Sequence, residues 1–333
     1  MEFFNNHTKL FRTAFFFFAG LTLLVAILPA INNQQINKAL PNAAVMSDDA
    51  IKGKQVFIAN GCVACHTQQV RNVDMDRTWG SRPSIAADYA AIKRTDVWRN
   101  TATLMGTERT GPDLTDVGNR QPSIDWNLVH LYNPRAVVKE SIMPAYPWMF
   151  TLKQHLEKGD VLVTVPKEFL GGKEGKLVAS PEALQLVAYL QSLKQTPLPD
   201  GTPSPEFLYK RKQATAAGTA APTLDGAAIY TANCQSCHQA NGEGLPGAFP
   251  PLKGSPVVTG DNLELYVGII MNGYDARAEY GVMPAVGTNA NLTAAEITAL
   301  INHERSSWGN SAKPVNEADV KKLMDFVKLR SPK

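Results

Sequence analysis

The sequence has little excess charge of either sign. Its 333 residues include 33 lysines and arginines against 30 aspartates and glutamates, which leaves a formal net charge of +3. Proteins that bind nucleic acids usually present a strong basic excess, so this composition predicts no nucleic-acid partner. Hydrophobic residues make up 44% of the chain, which is too many for a disordered protein. The length predicts more than one folded domain.

Cysteine is also scarce, and all four cysteines belong to one repeated pattern. The two C-x-x-C-H motifs consist of Cys62, Cys65 and His66 and of Cys234, Cys237 and His238. Zinc needs four ligands, whereas one motif supplies three. A redox disulfide does not explain a histidine after both pairs. Covalent haem explains every position, because two thiols bond to the haem vinyl groups and the histidine binds iron. The sequence therefore predicts two covalently bound haem c groups.

A methionine followed by Pro-Ala recurs downstream of each motif. Met143 lies in a loop 77 positions after His66, and Met283 lies 45 positions after His238. Methionine opposite histidine closes the iron site and raises its potential, whereas an open position permits peroxide chemistry. We therefore predict these four residues as axial iron ligands. Three other methionines lack the shared context, namely Met105, Met149 and Met271.

Both halves of the chain resemble class I cytochromes c. A Pro-x-Leu element follows each motif, at Pro112 and at Pro250. The resemblance implies that each proline carbonyl accepts a hydrogen bond from Nδ1 of the motif histidine, which fixes the orientation of the imidazole. The alternative is that each is an ordinary turn proline.

Long apolar runs are rare, and one stands near the N-terminus. Residues Ala14 to Ile31 form an uncharged stretch of eighteen residues. This stretch is near the lower limit for a bilayer span and longer than the apolar part of most signal peptides. Lys9 and Arg12 precede it, so the positive-inside rule places the N-terminus in the cytoplasm. We therefore predict a single-pass anchor in a bacterial inner membrane, with the remainder on the periplasmic side; a cleaved signal peptide is the alternative.

The order of these features predicts a mainly α-helical chain of four parts. They are a transmembrane anchor (1–33), a first cytochrome c domain (45–195), a linker (196–223) and a second cytochrome c domain (224–333). Cap residues predict helices after Ser47, Ser180 and Thr293. Further helices are expected over 224–233 and 317–329, and a short hairpin is expected within 161–178.

One segment of the first half is more specific than a generic cytochrome c. Residues 106–148 contain GTERTGPDLTDVG and HLYNPRAVVKESIMPAYPWM, and the first motif reads G-C-x-x-C-H-T-Q. Over residues 8–195 the chain resembles the membrane-anchored monohaem subunit, subunit II, of cbb3-type cytochrome c oxidases. The segments 71–101 and 151–180 depart from that family's pattern. The second haem domain is an addition to it.

The resemblance implies an electron-transfer subunit with no bond-making chemistry of its own. Electrons would come from a soluble or membrane cytochrome c, or from a quinol-oxidising complex. They would leave to a haem-copper catalytic subunit in the membrane. Three alternatives stay open: a cytochrome c subunit of nitric oxide reductase, a free-standing membrane dihaem cytochrome, and a dihaem peroxidase. The two matched Met-Pro loops speak against the peroxidase.

Other polar and aromatic residues have less specific expectations. The histidines outside the motifs and the anchor region are expected to be surface or structural residues: His130, His155 and His303. Four residues are candidates for contacts with haem propionates or for an interface: Trp79, Arg109, Trp126 and Arg135.

Overall fold

The computed structural model describes residues 2–36, 44–91, 104–199, 201–208, 224–277, 279–290 and 292–330. Most of the predicted linker, residue 200 and residues 209–223, lies outside the described residues. The predicted fold class is confirmed, since helices dominate and the sheet content is small. Each half of the chain has its own hydrophobic core.

The N-terminal segment is a short helix, then Asn6 with an extended backbone, then one long apolar helix with a local irregularity. Its parts are α1 (Glu2–Asn5), α2 (His7–Leu21), a π-helical turn (Thr22–Ile27) and α3 (Leu28–Ile36). Pro29 lies just after the π turn; because proline lacks an N–H and its ring crowds the preceding turn, a local widening there is expected. The most apolar 18 residues of the helix His7–Asn33 have a mean hydropathy of 2.5, and they are not buried against the rest of the described protein. This helix is consistent with the predicted membrane anchor.

In the part of the first module that the structure describes, there are five helices and a small sheet. The helices are α4 (Asp48–Ala59), α5 (Ala86–Ala91), α6 (Val117–Arg120), α7 (Ile124–Tyr132) and α8 (Pro181–Ser192). Five 3₁₀ turns connect them: Cys62–Ala64, Asp74–Thr78, Pro134–Ala136, Pro147–Met149 and Lys167–Leu170. The two predicted caps are present, because Ser47 accepts a hydrogen bond from the Ala50 N–H and Ser180 accepts one from the Ala183 N–H.

The predicted hairpin within 161–178 is present, and a further strand, β1, pairs with its second arm. Strand β1 (Phe150–Lys153) pairs antiparallel with β2 (Lys176–Ala179). Backbone hydrogen bonds from Val163 N to Leu177 O and from Ala179 N to Val161 O join the two arms of the predicted hairpin. Strand β1 was not predicted, although its sequence Phe-Thr-Leu-Lys alternates apolar and polar residues; four residues are the shortest run in which this alternation indicates a strand.

Within the described residues, the regular elements of the second module are all helices, joined by loops. Its helices are α9 (Gly226–Asn233), α10 (Gln235–His238), α11 (Pro256–Thr259), α12 (Leu263–Asn272), α13 (Val286–Asn289), α14 (Ala294–Ser306) and α15 (Glu317–Arg330). Helix α14 begins with a capping box, in which Thr293 and Glu296 bond to each other's backbone N–H. Helix α15 buries Val320, Met324 and Val327 in the second core, so the terminal helix completes that core.

The same kind of helix crossing occurs once within each module. A Cβ added at Gly53 of α4 would lie 1.8 Å from the carbonyl oxygen of Gln185 in α8. A Cβ added at Gly226 of α9 would lie 2.1 Å from the carbonyl oxygen of Ala299 in α14. A buried aromatic residue follows each glycine by four positions; the two are Phe57 and Tyr230. In both modules the helix that delivers the C-x-x-C-H motif is therefore held against a later helix by a glycine contact.

Candidate haem-binding sites

The first motif follows α4 and opens onto a large cavity. Gly61 has a positive φ of 68°, which turns the chain from α4 into the 3₁₀ turn that starts at Cys62. The His66 N–H donates to the Cys62 carbonyl, so the motif is compact. The walls of one cavity of about 1000 Å³ include Cys62, His66 and Met143. The structure thus brings these three predicted site residues to one cavity.

The imidazole of His66 has a defined orientation. Its Nδ1 lies 2.8 Å from the carbonyl oxygen of Pro112. Because a carbonyl only accepts, Nδ1 carries the proton and Nε2 keeps a free lone pair. Burial lowers the pKa of His66, against the opposing effect of the Pro112 hydrogen bond, and this favours the neutral ring that iron binds. A Cβ at Gly111 would lie 2.4 Å from Cε1 of His66, so only glycine fits there.

The second motif has the same histidine–proline pair. His238 ends the short helix α10 and is only 5% exposed. Its Nδ1 lies 2.9 Å from the carbonyl oxygen of Pro250. Met283 lies in a backbone pair with Tyr274, with two hydrogen bonds of 2.9 Å. The same imidazole orientation is thus built twice from different loops.

The four cysteines form no disulfide, and the surroundings of three of them raise the pKa of the thiol. Burial raises the pKa of Cys62 and of Cys237 to about 11, and it raises the pKa of Cys234 as well. Zinc sites and reactive disulfides require thiolates. Among the described residues, no group of three or more His, Cys, Asp or Glu side chains is arranged to hold a metal ion.

The wall of the first cavity suits both the apolar ring of a haem and its charged propionate groups. Phe57, Leu114 and Leu186 give it apolar surface. Arg120 also lines it, with its guanidinium 5.1 Å from the centre of the Trp79 ring. Arg120 is exposed to solvent at the edge of the cavity, and its guanidinium donates a hydrogen bond to the carbonyl oxygen of Asp113. A cation at the edge of an apolar cavity suits an anionic group such as a haem propionate.

His130 lies at the same cavity, a position the sequence did not single out. Its ring stacks on Trp126, with centroids 4.5 Å apart and planes inclined by 12°. Both rings line the cavity, and Nδ1 of His130 is buried with no hydrogen-bond partner. Burial lowers the pKa of His130 to about 4, so the ring is neutral at pH 7. Trp126 and His130 are four residues apart on the helix that begins after Ser123, and residues at this spacing lie on the same face of a helix. This spacing is the sequence signal that could have predicted their contact.

The two arginine candidates hold loops of the site. Arg109 donates to Thr67 and pairs with the fully buried Asp76, which fixes the segment after His66. Its guanidinium is therefore engaged within the protein. Arg135 donates to the carbonyl oxygen of Met143 at 3.4 Å, so it supports the methionine loop.

The families and proteins to which the chain is similar are cytochromes c or cytochrome subunits of larger complexes. A family profile described as "Cytochrome C oxidase, mono-heme subunit/FixO" matches residues 2–171, and a cytochrome c profile matches residues 224–308. Cytochrome c-552 of Thermus thermophilus is 37% identical over 117 residues, which are 32% of this chain and 78% of that protein. The sequence resemblance to the oxidase subunit is thereby confirmed, although the match ends at residue 171 rather than 195.

Two further relatives are cytochrome subunits of dehydrogenases. The cytochrome c subunit of alcohol dehydrogenase (quinone) from Gluconacetobacter polyoxogenes is 35% identical over 146 residues, 42% of this chain. The fructose dehydrogenase cytochrome subunit of Gluconobacter japonicus is 31% identical over 144 residues, 40% of this chain. In both cases the match spans only 30% of the relative's length.

These matches account for both halves of the molecule. Cytochrome c domains bind haem c covalently, and two such domains fit the predicted two haems. The first profile covers more than half of the chain, including the anchor helix and the His66 site. The chain is a cytochrome c electron-transfer protein that belongs to the FixO family of mono-haem cytochrome c oxidase subunits, extended by a second cytochrome c domain.

Proposed function

We propose that the chain is the dihaem electron-transfer subunit of a cbb3-type haem-copper terminal oxidase. Electrons come from a periplasmic donor, enter at the second module, pass to the first module and leave to the catalytic subunit in the membrane. The observation that carries this proposal is the FixO match over residues 2–171, which joins the anchor helix to the His66 and Met143 cavity.

The residues proposed to hold the haems are those predicted from the sequence. Thioether attachment is assigned to Cys62, Cys65, Cys234 and Cys237, and iron ligation to His66, Met143, His238 and Met283. A haem bound in this way supplies one-electron chemistry. The protein's part is to hold each imidazole against Pro112 or Pro250, to keep water from the iron and to present a raised potential.

The anchor proposal follows from the N-terminal helix. It is long and apolar enough to cross a bilayer. Lys9 and Arg12 at its start favour a cytoplasmic N-terminus, so the haem modules stand on the periplasmic side of the bacterial inner membrane. The domain bounds 45–195 and 224–333, joined by the linker 196–223, belong to this proposal.

A second candidate is a cytochrome subunit of a membrane dehydrogenase. The two relatives named for alcohol and fructose oxidation favour it. There the electrons would flow from a dehydrogenase through the haems to quinone. The oxidase is the stronger candidate, because the FixO profile includes the anchor whereas each dehydrogenase match covers 30% of the relative.

The test is to purify this chain from its native membranes in mild detergent and to identify what accompanies it. The expected result is co-purifying b-type haem, together with oxygen uptake that depends on reduced cytochrome c. Preferential turnover of nitric oxide would move the assignment to a nitric oxide reductase. Oxidation of an alcohol or sugar would move it to a dehydrogenase, and c-type haem without activity would indicate a free-standing carrier.

A further inference from the structure

The cavity of the first module has a wall that belongs to the second module. Six residues of the second module line it: Ala232, Asn233, Ser236, Val286, Asn289 and Ala290. Ser236 stands between the cysteines Cys234 and Cys237. The haem-attachment segment of one module therefore borders the candidate haem cavity of the other.

Trp126 connects the two sites directly. Its indole ring lines the first cavity, together with His66. Its Nε1–H donates a hydrogen bond of 2.9 Å to the carbonyl oxygen of Ser236. A second polar contact joins Gln121 Nε2 to Ser236 Oγ at 3.4 Å. One side chain thus touches both the wall of the first cavity and the backbone of the second attachment motif.

The contact between modules also has an apolar part. Leu245, Ala248 and Phe249 of the second module are each less than 10% exposed and belong to the hydrophobic core of the first module. A Cβ added at Gly281 of the second module would lie 2.6 Å from Oδ2 of Asp125, so the modules are in close contact there as well. Apolar burial flanked by hydrogen bonds is the composition of a specific interface.

We propose that the two modules are docked in one fixed arrangement, in which Trp126 joins the first haem site to the attachment segment of the second. Domains joined by a linker move relative to each other unless an apolar interface holds them. Here residues of both motifs line one cavity at the boundary between the modules, so transfer would need no domain movement. With haem held at both sites, one electron would pass from the second site to the first, with no proton or co-reactant.

This inference rests on the two haem sites of the proposed function but not on the identity of the oxidase. The test uses the purified full chain with both haems bound, so loss of an oxidase partner does not affect it. In the ferric state both low-spin irons are paramagnetic, and dipolar electron paramagnetic resonance reports the distance between them. A single narrow distance is expected for the wild-type protein.

The informative variant is Trp126→Phe, which keeps an aromatic ring and removes the N–H donor. It should lose the single narrow distance, and amide hydrogen exchange in residues 234–249 should accelerate about tenfold, as for one lost interface hydrogen bond. The matched control is Trp148→Phe, because Trp148 is 66% exposed and contacts Tyr146 of its own module. The control should behave like the wild type.

If Trp126→Phe fails to bind haem, a second variant tests the interface without altering the first cavity. Gln239→Ala removes a 3.4 Å contact with the Val137 carbonyl oxygen of the first module and leaves the first cavity untouched. It should also broaden the distance distribution. The proposal is overturned if the wild-type distance is already broad, or if the interface variants match the wild type in both measurements.

Discussion

At the scale of single residues, the close fit between a glycine and a histidine holds the imidazole orientation at the first proposed haem site. Gly111 lies against the imidazole of His66, and the neighbouring Pro112 carbonyl holds Nδ1. The C-x-x-C-H motif identified the histidine, and the class I resemblance identified the proline. Gly111 was missed because its importance depends on a ring 45 positions earlier in the chain.

We expect Gly111→Ala to displace the imidazole of His66. A Cβ only 2.4 Å from Cε1 cannot be accommodated without movement, and overpacking of this kind costs about 1–3 kcal/mol. The variant should lose the near-infrared absorption of methionine-ligated ferric haem from one of its two haems. Gly268→Ala is the control, because the nearest atom lies 4.0 Å away. An unchanged spectrum in Gly111→Ala would contradict the assigned geometry.

Glu304 makes the stability of the second module depend on pH. It is 3% exposed and bonds to the Tyr266 hydroxyl, and burial raises its pKa from 4.5 to about 7. The folded state therefore binds a proton more tightly than the unfolded state. This stabilisation is complete below about pH 4.5 and is lost as the pH rises towards 7.

We therefore expect Glu304→Gln to stabilise the module at pH 8 and to have little effect at pH 4. The difference should be on the order of 3 kcal/mol, from the size of the pKa shift. Denaturant unfolding at the two pH values measures it. The exposed Glu243 offers the control Glu243→Gln, which should leave the pH dependence unchanged. Equal stabilisation at both pH values would disprove the role given to the carboxylate.

At the scale of elements, cap residues were the most reliable sequence signal. Ser47, Ser180 and Thr293 each begin a helix as predicted, since a cap bond involves residues only three apart. The π turn and strand β1 were not foreseen. Both are short, at six and four residues, so each carries only a weak sequence signal.

The crossing glycines provide a prediction for each module separately. Gly53→Ala and Gly226→Ala should destabilise their modules by about 2–3 kcal/mol, because the opposing atom is a helix backbone carbonyl, which cannot move aside. Hydrogen exchange can follow α4 and α8 separately from α9 and α14. Each variant should loosen its own pair and serve as the control for the other. Loosening of neither pair would show that the crossing tolerates a methyl group.

At the scale of the whole molecule, the sequence predicted two cytochrome c modules but not their contact. Each motif is local, so Cys62 and Cys234 could be recognised without a structure. The bond from Trp126 to Ser236 joins residues 110 positions apart, and no periodicity connects them. Trp126 was a candidate for either an interface or a propionate contact, and the structure places it at the wall of the cavity and at the interface.

The central claim is that electrons pass through both modules to a membrane oxidase. The most direct measurement mixes the purified, fully reduced complex with oxygen and follows the c-type haem absorption in the wild type and in Cys234→Ala/Cys237→Ala. We expect rapid reoxidation of two c-type haems in the wild type and of one in the variant, which keeps the proposed exit site at His66. If the c-type haem stays reduced while oxygen is consumed, electrons do not reach the oxidase through these modules.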